Sequence, residues 1–260
     1  MKIALPSPLL QPLRFGAFAL PHRFVLAAKP DAGPPSSLHD LLPDQAHVGA
    51  LLLMPATVSL ATDDGAAMAG LCSAAQVNEW REVTAAVAAR GGMTLAQLCD
   101  AAHPAGPSPD LNELDAALDA YRNAAENASD AGFDGVELFA PSADGSWLLA
   151  AAETLLAVWP AQRVGVNLAW PRDEAATLEQ MAGLDIAYLH FTLGPGLLPE
   201  AVAAGLRSLR SRFRGALLVS AAASSDTAPQ LVVDGAADAL GVPISAAMFE
   251  AAYGTRTCRR

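Results

Sequence analysis

Apolar runs alternate with amphipathic stretches along most of this chain. In the clearest unit, apolar residues recur at intervals of three and four over residues 74–90, Gly91 and Gly92 follow, and an apolar run covers residues 93–99. This pattern predicts a helix with one buried face, a glycine stop and a strand that is buried on both faces. Such a strand is typical of the interior of an α/β protein.

The same alternation recurs along the chain and predicts eight strands, each followed by a helix or a helical fragment. The predicted strands cover residues 23–28, 48–55, 93–99, 135–140, 163–169, 185–192, 216–221 and 237–242. The predicted helices lie near residues 38–46, 74–90, from 109 onward, 146–158, 172–183, 198–213, 226–234 and 245–252. Strands that alternate with helices pair in parallel through crossovers. Eight such units within 260 residues predict an α/β fold, a (β/α)8 TIM barrel, as a single domain over residues 1–260.

The stretch before the first predicted strand is LRFGAFALPHR, residues 13–23, and it alternates apolar and polar positions around Gly16. This pattern predicts an N-terminal hairpin, which would close the bottom of the barrel. The working face of a TIM barrel lies at the opposite end, where strands lead into helices. Several loops at these junctions are short, so we expect a C-terminal face with shortened loops.

Charge and cysteine content restrict the partners and the compartment. The chain has 27 acidic and 16 basic residues, for a formal net charge of −11. This balance argues against nucleic acid and anionic membrane surfaces, because both attract basic proteins. The three cysteines are widely spaced and predict neither a disulfide framework nor a metal site. We expect a cytoplasmic protein with reduced thiols, no signal peptide and no membrane span.

Ionisable residues follow several of the predicted strands. Lys29, Asp100, His103 and Asp144 would meet at the barrel mouth, where carboxylate, imidazole and amine groups can do general acid–base work. The alternative is that these four are solvated loop residues.

Two further reactive side chains fall inside predicted strands. Cys99 would be a nucleophile only with a base beside it, and is otherwise an inert buried thiol. His190, in the segment YLHFT, is interpreted as a hydrogen-bonded core histidine.

Several segments resemble those of a known family. The chain contains LLQPLRFGAFALPHRFVLAA, QVNEWREVTAAVAARGGMTLAQL, YRNAAENASDAGFDGVELFA, LLVSAAAS and ADALGVP. These are similar to segments of the old yellow enzyme family, the FMN-dependent NAD(P)H:flavin oxidoreductases or ene-reductases. The similarity runs in order along nearly the whole chain. It implies a TIM barrel, FMN as the cofactor and an NAD(P)H-linked oxidoreductase activity.

The resemblance also implies a set of cofactor-binding positions. Gln97 matches the glutamine that contacts the flavin ring, and Ala28 falls in the segment whose hydroxyl or thiol tunes the flavin. Ala222 and Ala223 fall on a phosphate-binding Gly-Gly pair, and Gly241 falls on the glycine after the last strand. Each alanine adds a Cβ where backbone N–H groups approach the phosphate.

The family's catalytic positions are substituted in this chain. The His/His or His/Asn pair that grips the substrate carbonyl falls on Phe139 and Ser142, and the proton-donating tyrosine falls on Asp144. The arginine beside the flavin falls on Asn167, and the phosphate-binding arginine falls on Val242. The chain is therefore interpreted as a shortened and degenerate member, and the resemblance leaves open whether it is an enzyme.

Three functions remain open. The first is a barrel that has lost most FMN- and substrate-binding residues and serves as a non-catalytic partner subunit or ligand-binding scaffold. The second is a weakly FMN-binding, ene-reductase-type oxidoreductase with a reduced site. The third is a flavin-free isomerase or lyase that uses Lys29, Asp100 or His103. Shortened loops would expose apolar surface at the mouth, which favours a protein partner, a homo-oligomer or a small-molecule ligand there.

Overall fold

The computed structural model describes residues 7–28, 49–58, 69–100, 111–140, 145–170, 175–221 and 226–243. Two short strands, β1 (Leu13–Phe15) and β2 (Phe18–Leu20), form an antiparallel hairpin. The strands that follow are β3 (Phe24–Ala27), β4 (Leu51–Thr57), β5 (Met93–Cys99), β6 (Gly135–Phe139), β7 (Val164–Trp170), β8 (Tyr188–Leu193), β9 (Ala216–Ala221) and β10 (Ala239–Pro243).

Helices follow most of these strands. They are α1 (Ala74–Ala88), α2 (Leu111–Asp130), α3 (Gly145–Leu156), α4 (Ala175–Ala182), α5 (Pro199–Arg210) and α6 (Thr227–Val233). Short 3-10 helices cover Ser7–Leu10 and Ala161–Arg163. Within the described ranges, no helix is both long enough and apolar enough to cross a membrane.

Strands β3 to β10 pair in parallel in chain order, and β10 closes on β3 to complete a barrel. The predicted (β/α)8 barrel and the N-terminal hairpin are therefore confirmed. The helices predicted near 38–46 and 245–252 lie outside the described residues. The helix predicted from residue 109 is described from Leu111 onward.

Two barrel strands begin three residues later than the hydrophobic pattern predicts, because a residue with positive φ precedes each of them. Gly49 has a φ of 81°, and β4 begins at Leu51 instead of residue 48. Asp185 has a φ of 52°, and β8 begins at Tyr188 instead of residue 185. A residue in the left-handed region cannot continue an extended strand, although its apolar neighbours prolong the pattern.

Alternation along the strands divides the core into two shells. Outward-facing side chains, such as Val136 and Leu138 on β6, pack in the shell between the barrel and the helices. The inner shell combines inward-facing strand residues with side chains of the hairpin. It includes Phe15, Phe18, Leu20, Val25, Leu51, Leu53, Leu95, Tyr188 and Leu218. The hairpin therefore closes the N-terminal end of the barrel, which leaves the C-terminal end as the place for a site.

Carboxylates at the starts of two strands stabilise that closed end. Asp134 Oδ2 accepts a hydrogen bond of 2.9 Å from the backbone N of Thr94. Asp238 Oδ2 accepts one of 2.7 Å from the backbone N of Leu217, and the same carboxylate pairs with Arg210. These charges join neighbouring strands at the end opposite the working face.

Candidate functional site

The C-terminal half of the barrel interior is lined by polar side chains. They occupy inward-facing positions of their strands, on the C-terminal side of the apolar inner shell. We call this set the polar layer: Gln97 on β5, Glu137 on β6, Asn167 on β7, His190 and Thr192 on β8, and Ser220 on β9. Because neighbouring strands are in parallel register, these side chains lie next to one another.

A buried carboxylate lies at the centre of the polar layer. Glu137 has 0% of its surface exposed. Its Oε1 accepts a hydrogen bond of 2.6 Å from Gln97 Nε2, and its Oε2 lies 3.0 Å from His190 Nδ1. A carboxylate in an apolar interior needs such partners, because leaving it unpaired costs several kcal/mol.

His190 connects three strands through both of its ring nitrogens. Nδ1 lies 2.8 Å from Asn167 Nδ2 as well as close to Glu137, and Nε2 lies 2.8 Å from Ser220 Oγ. The ring is 2% exposed. These contacts agree with the expectation of a hydrogen-bonded core histidine, and they place it inside the barrel below the mouth.

Exposure rises from the floor of the polar layer to its edge. Asn167 is 1% exposed, whereas Ser220 is half-buried and Thr192 is exposed. Asn167 and Thr192 contact each other, with Thr192 Oγ1 lying 3.3 Å from Asn167 Nδ2 and 3.4 Å from its Oδ1. The layer therefore meets solvent along β8 and β9.

Gly241 keeps space open beside this edge. It is the β10 partner of Ser220 in the sheet register. A Cβ at this position would lie 3.0 Å from the Cβ of Ser220 and 3.5 Å from His190 Nε2. Any larger residue would therefore crowd both side chains.

Tyr188 lies at the boundary between the polar layer and the apolar inner shell. Its hydroxyl is buried beside the Glu137 carboxylate without a well-aligned hydrogen bond. Burial raises the pKa of Tyr188 well above its usual value, and the neighbouring carboxylate acts in the same direction. The phenol is therefore neutral and adds no charge to the layer.

Some of the predicted site residues fall in or near the polar layer. Gln97 belongs to it, Gly241 borders it, and Phe139 is an inward-facing, half-buried neighbour on β6. Ala28 and Val242 have side chains that pack in the outer shell, between barrel and helices. An arginine or lysine at position 242, on the same backbone, would therefore have its Cβ in the outer shell between the barrel and the helices.

Of the four ionisable residues predicted to meet at the barrel mouth, one lies among the described residues. Asp100 is half-buried directly after β5. The other candidates lie outside the described residues: Lys29, His103, Ser142, Asp144, Ala222 and Ala223. The predicted acid–base group therefore stays a prediction, with Asp100 as its one described member.

Cys99 is buried at the end of β5, and its Sγ donates to the Ala56 carbonyl at 3.4 Å. Burial, with a smaller contribution from the Asp100 charge, raises the pKa of this thiol to about 12. A protonated thiol is a poor nucleophile, which agrees with the inert interpretation.

The charge of the polar layer comes from Glu137. Among the described residues, no lysine or arginine forms a hydrogen bond or ion pair with any member of the layer. Nor does that part of the chain contain a group of three His, Cys, Asp or Glu residues arranged to hold a metal. The layer therefore offers neutral donors and acceptors around one carboxylate.

Sequence reasoning missed Glu137, and it located Thr192 and Ser220 at the working end without assigning a role to their side chains. Each is a polar residue at an inward position of a strand that is otherwise apolar, in GVELFA, YLHFT and ALLVSA. A search for polar residues that break an apolar run at the inward parity would have found them. It would not have shown which ones touch.

A closed parallel barrel with a polar layer at its C-terminal end defines the class of (β/α)8 barrel proteins. The structure is similar to a variant of NCR from Zymomonas mobilis, with a TM-score of 0.71 and 25% identity over 92% of this chain and 87% of that one. NCR is an old yellow enzyme homologue. The fold of this chain is thus similar to that of an old yellow enzyme homologue.

Curated relatives also match about half of the sequence. Putative 12-oxophytodienoate reductase 13 of Oryza sativa subsp. japonica is 30% identical over 163 residues, 51% of this chain and 43% of the relative. Flavin oxidoreductase hxnT of Emericella nidulans is 30% identical over 175 residues, 51% of this chain and 45% of the relative. The matched region thus spans less than half of each relative's length. No protein-family model matches the chain.

Proposed function

We propose that this protein is a ligand-binding barrel of old yellow enzyme ancestry that does not carry out flavin hydride transfer. The observation that supports this proposal is the polar layer, in which Asn167 stands where the resemblance places an arginine beside the flavin. Asn167 is committed to His190 at 2.8 Å and to Thr192 at 3.3 Å. A neutral amide here leaves the Glu137 carboxylate without a guanidinium near it.

The donor set does not fit FMN well. A reduced flavin carries negative charge, and the FMN phosphate is a dianion that proteins hold with arginines or clustered backbone N–H groups. The described polar layer supplies a carboxylate and no arginine. Gln97, the one flavin contact that the resemblance retains, already donates its amide N–H to Glu137 at 2.6 Å. We therefore derive no reaction step through a flavin.

The layer is better suited to an uncharged, hydrogen-bonding ligand at the mouth. Its exposed edge presents the hydroxyls of Thr192 and Ser220. The half-buried ring of Phe139, at the next inward-facing position of β6 after Glu137, offers an apolar neighbour. An anionic ligand would meet the Glu137 charge without a described cation to offset it. A small neutral molecule avoids that repulsion.

The absorbance spectrum of the purified protein tests this proposal. We expect no flavin absorbance, and no quenching of FMN fluorescence or thermal stabilisation on FMN titration. Stoichiometric flavin in the purified protein would contradict the proposal. A Gln97→Leu variant is the matched control: if the wild-type chain quenches FMN fluorescence and the variant does not, the weak FMN-binding alternative holds instead.

The flavin-free isomerase or lyase stays a separate prediction for Lys29, Asp100 and His103. It rests on sequence position, since Asp100 alone of the three lies in the described residues. A triple alanine variant with unchanged activity would remove this alternative and leave the ligand-binding proposal standing.

A further inference from the structure

We propose that Ser220, His190 and Glu137 form a nucleophile–base–carboxylate relay that attacks uncharged carboxylic esters. This inference rests on the proposed function, because the mouth above Ser220 must be free of flavin. The three residues come from β9, β8 and β6, at inward positions of the polar layer.

The relay has the distances that nucleophilic catalysis needs. Ser220 Oγ lies 2.8 Å from His190 Nε2, and His190 Nδ1 lies 3.0 Å from Glu137 Oε2. Nucleophile and base must be about 2.6–3.2 Å apart, with the base oriented by a third group. Both contacts fall within this range, and they use opposite nitrogens of one imidazole.

The contact between His190 Nδ1 and Glu137 Oε2 favours the reactive protonation pattern. An ionised carboxylate only accepts hydrogen bonds, so the contact with Glu137 requires the proton on His190 Nδ1. Nε2 is then the acceptor for the Ser220 hydroxyl, as a general base must be. Glu137 thus acts as a positioning residue that selects the imidazole tautomer.

This tautomer requires that Asn167 exchange the two ends of its amide. Its Nδ2 lies 2.8 Å from His190 Nδ1, where an N–H on the ring needs an acceptor. Thr192 Oγ1 is 3.3 Å from Nδ2 and 3.4 Å from Oδ1, so that a rotated amide keeps its contact with this hydroxyl. Oδ1 then becomes a second acceptor for the ring N–H.

The solvent exposure of the three side chains increases from the carboxylate to the nucleophile, as a reaction at the mouth requires. Glu137 is 0% and His190 2% exposed, whereas Ser220 is half-buried at the solvent edge. The carboxylate and the base are thus shielded from water, and the nucleophile is the member that a substrate can reach. Gly241 leaves the space beside Ser220 Oγ open, since a Cβ there would lie 3.0 Å from the serine Cβ.

The reaction proceeds in two balanced steps. Ser220 Oγ bonds to the acyl carbon while its proton passes to His190 Nε2, the ester C–O bond breaks, and the proton leaves with the alcohol. Water then attacks the acyl-serine and gives one proton to His190. The bond to Ser220 Oγ breaks, the carboxylic acid leaves, and the proton returns to the serine. Thr192 pairs with Ser220 in the register between β8 and β9, and it places a second hydroxyl group on the neighbouring strand.

Covalent labelling with a fluorophosphonate probe tests the relay on the intact protein. We expect one label per chain, on the peptide that contains Ser220, and turnover of p-nitrophenyl acetate that the label abolishes. Ser220→Ala loses both. Ser208→Ala, at an exposed serine on α5, keeps both and is the matched control. Absence of label, or a label on another serine, overturns the proposal.

The base is tested by chemical rescue. His190→Ala should label at least about 100-fold more slowly, since general base catalysis contributes about 10²–10⁴-fold. Added imidazole should restore part of the rate, which the loss of a purely structural histidine would not allow. If His190→Ala does not fold, the serine mapping on the wild-type chain still decides the proposal.

The positioning role of Glu137 is tested by the pH profile of labelling. Among the described residues that contact the His190 ring, Glu137 is the charged one, and Asn167 and Ser220 are neutral. Glu137→Gln removes the negative charge beside the imidazolium, so the half-maximal pH of labelling should move lower. An unchanged half-maximal pH would remove Glu137 from the relay.

The two proposals fail in different ways. The flavin absorbance of the labelled sample is recorded together with the label. Flavin-free protein without label overturns the relay alone, whereas flavin-bound protein overturns the proposed function. Flavin-bound protein overturns the relay as well, because the relay needs the mouth above Ser220 free of flavin, and label on Ser220 of flavin-free protein supports it.

Discussion

Cys99 lies on β5, two residues after Gln97 of the polar layer, and its surroundings give it a different chemistry from that of Ser220. It is 5% exposed and its thiol donates to a backbone carbonyl, and no histidine within the described ranges forms a hydrogen bond with it. Burial raises its pKa to about 12, so the sulfur is protonated in the folded protein at neutral pH. Ser220, in contrast, lies against a histidine. The neighbour, more than the intrinsic nucleophilicity, decides which side chain can react.

The raised pKa of Cys99 predicts a loss of stability at alkaline pH. The unfolded chain ionises this thiol above a pKa of about 9, whereas the folded protein keeps the proton up to about 12. The unfolded state is therefore favoured as the pH rises through this window, by about 1.4 kcal/mol per pH unit. Tyr121 and Tyr188, whose pKa values burial also raises, act in the same direction at higher pH.

Urea denaturation between pH 8 and pH 10.5 measures this effect. Cys99→Ala should reduce the slope of unfolding free energy against pH by about 1.4 kcal/mol per unit above pH 9. A small cavity in the variant lowers stability by a constant amount and leaves the slope difference intact. Equal slopes in the two proteins would mean that Cys99 ionises in the folded state.

At the scale of the element, α1 shows how local sequence fixes a helix start. Ser73 is the N-cap, and its Oγ accepts from the backbone N of Gln76 at 3.4 Å. In return, Gln76 Oε1 accepts from the backbone N of Ser73 at 3.1 Å and of Cys72 at 2.8 Å. This capping box satisfies N–H groups that have no partner inside the helix.

Removal of the cap should destabilise the protein measurably. Ser73→Ala is expected to cost about 1 kcal/mol of unfolding free energy, the usual effect of losing a serine N-cap. Ser208→Ala, in the interior of α5 and exposed, is the matched control and should change stability by less than about 0.5 kcal/mol. Denaturant midpoints measure both, and similar values for the two variants would show that the cap contributes nothing.

At the scale of the whole molecule, the hairpin and the polar layer divide the barrel interior between stability and function. Phe15 of β1 is 0% exposed and its ring lies 4.4 Å from that of Tyr188, at the base of the polar layer. Gly165 on β7 faces the other side of that tyrosine, where a Cβ would overlap the ring. The closed end thus supports the floor on which Glu137 and His190 lie.

Truncation of the hairpin core should therefore weaken the whole barrel. Phe15→Ala is expected to lower the unfolding free energy by about 3–5 kcal/mol, through lost burial and the cavity left against Tyr188. Arg14→Ala, at the exposed neighbouring position, should stay within about 0.5 kcal/mol of the wild-type chain. Calorimetric or urea unfolding compares the two, and a loss below about 1 kcal/mol for Phe15→Ala would show that the hairpin is not part of the core.

The sequence by itself determined the architecture. Apolar runs and helical periodicity depend on neighbours within a few residues, and they located the hairpin and all eight barrel strands. They also placed Gln97 at the working end. The errors were at boundaries, as at Asp185, where a positive φ ends an apolar pattern that periodicity alone would extend.

The tertiary structure alone decided which polar side chains touch. Glu137 and His190 are 53 residues apart, and His190 and Ser220 are 30 apart. Their contacts exist because barrel closure and parallel register bring inward-facing positions of separate strands to the same height. A local pattern fixes which face of a strand a residue occupies, whereas register between distant strands depends on packing of the whole barrel. For that reason the contacts within the polar layer could be described only from the structure.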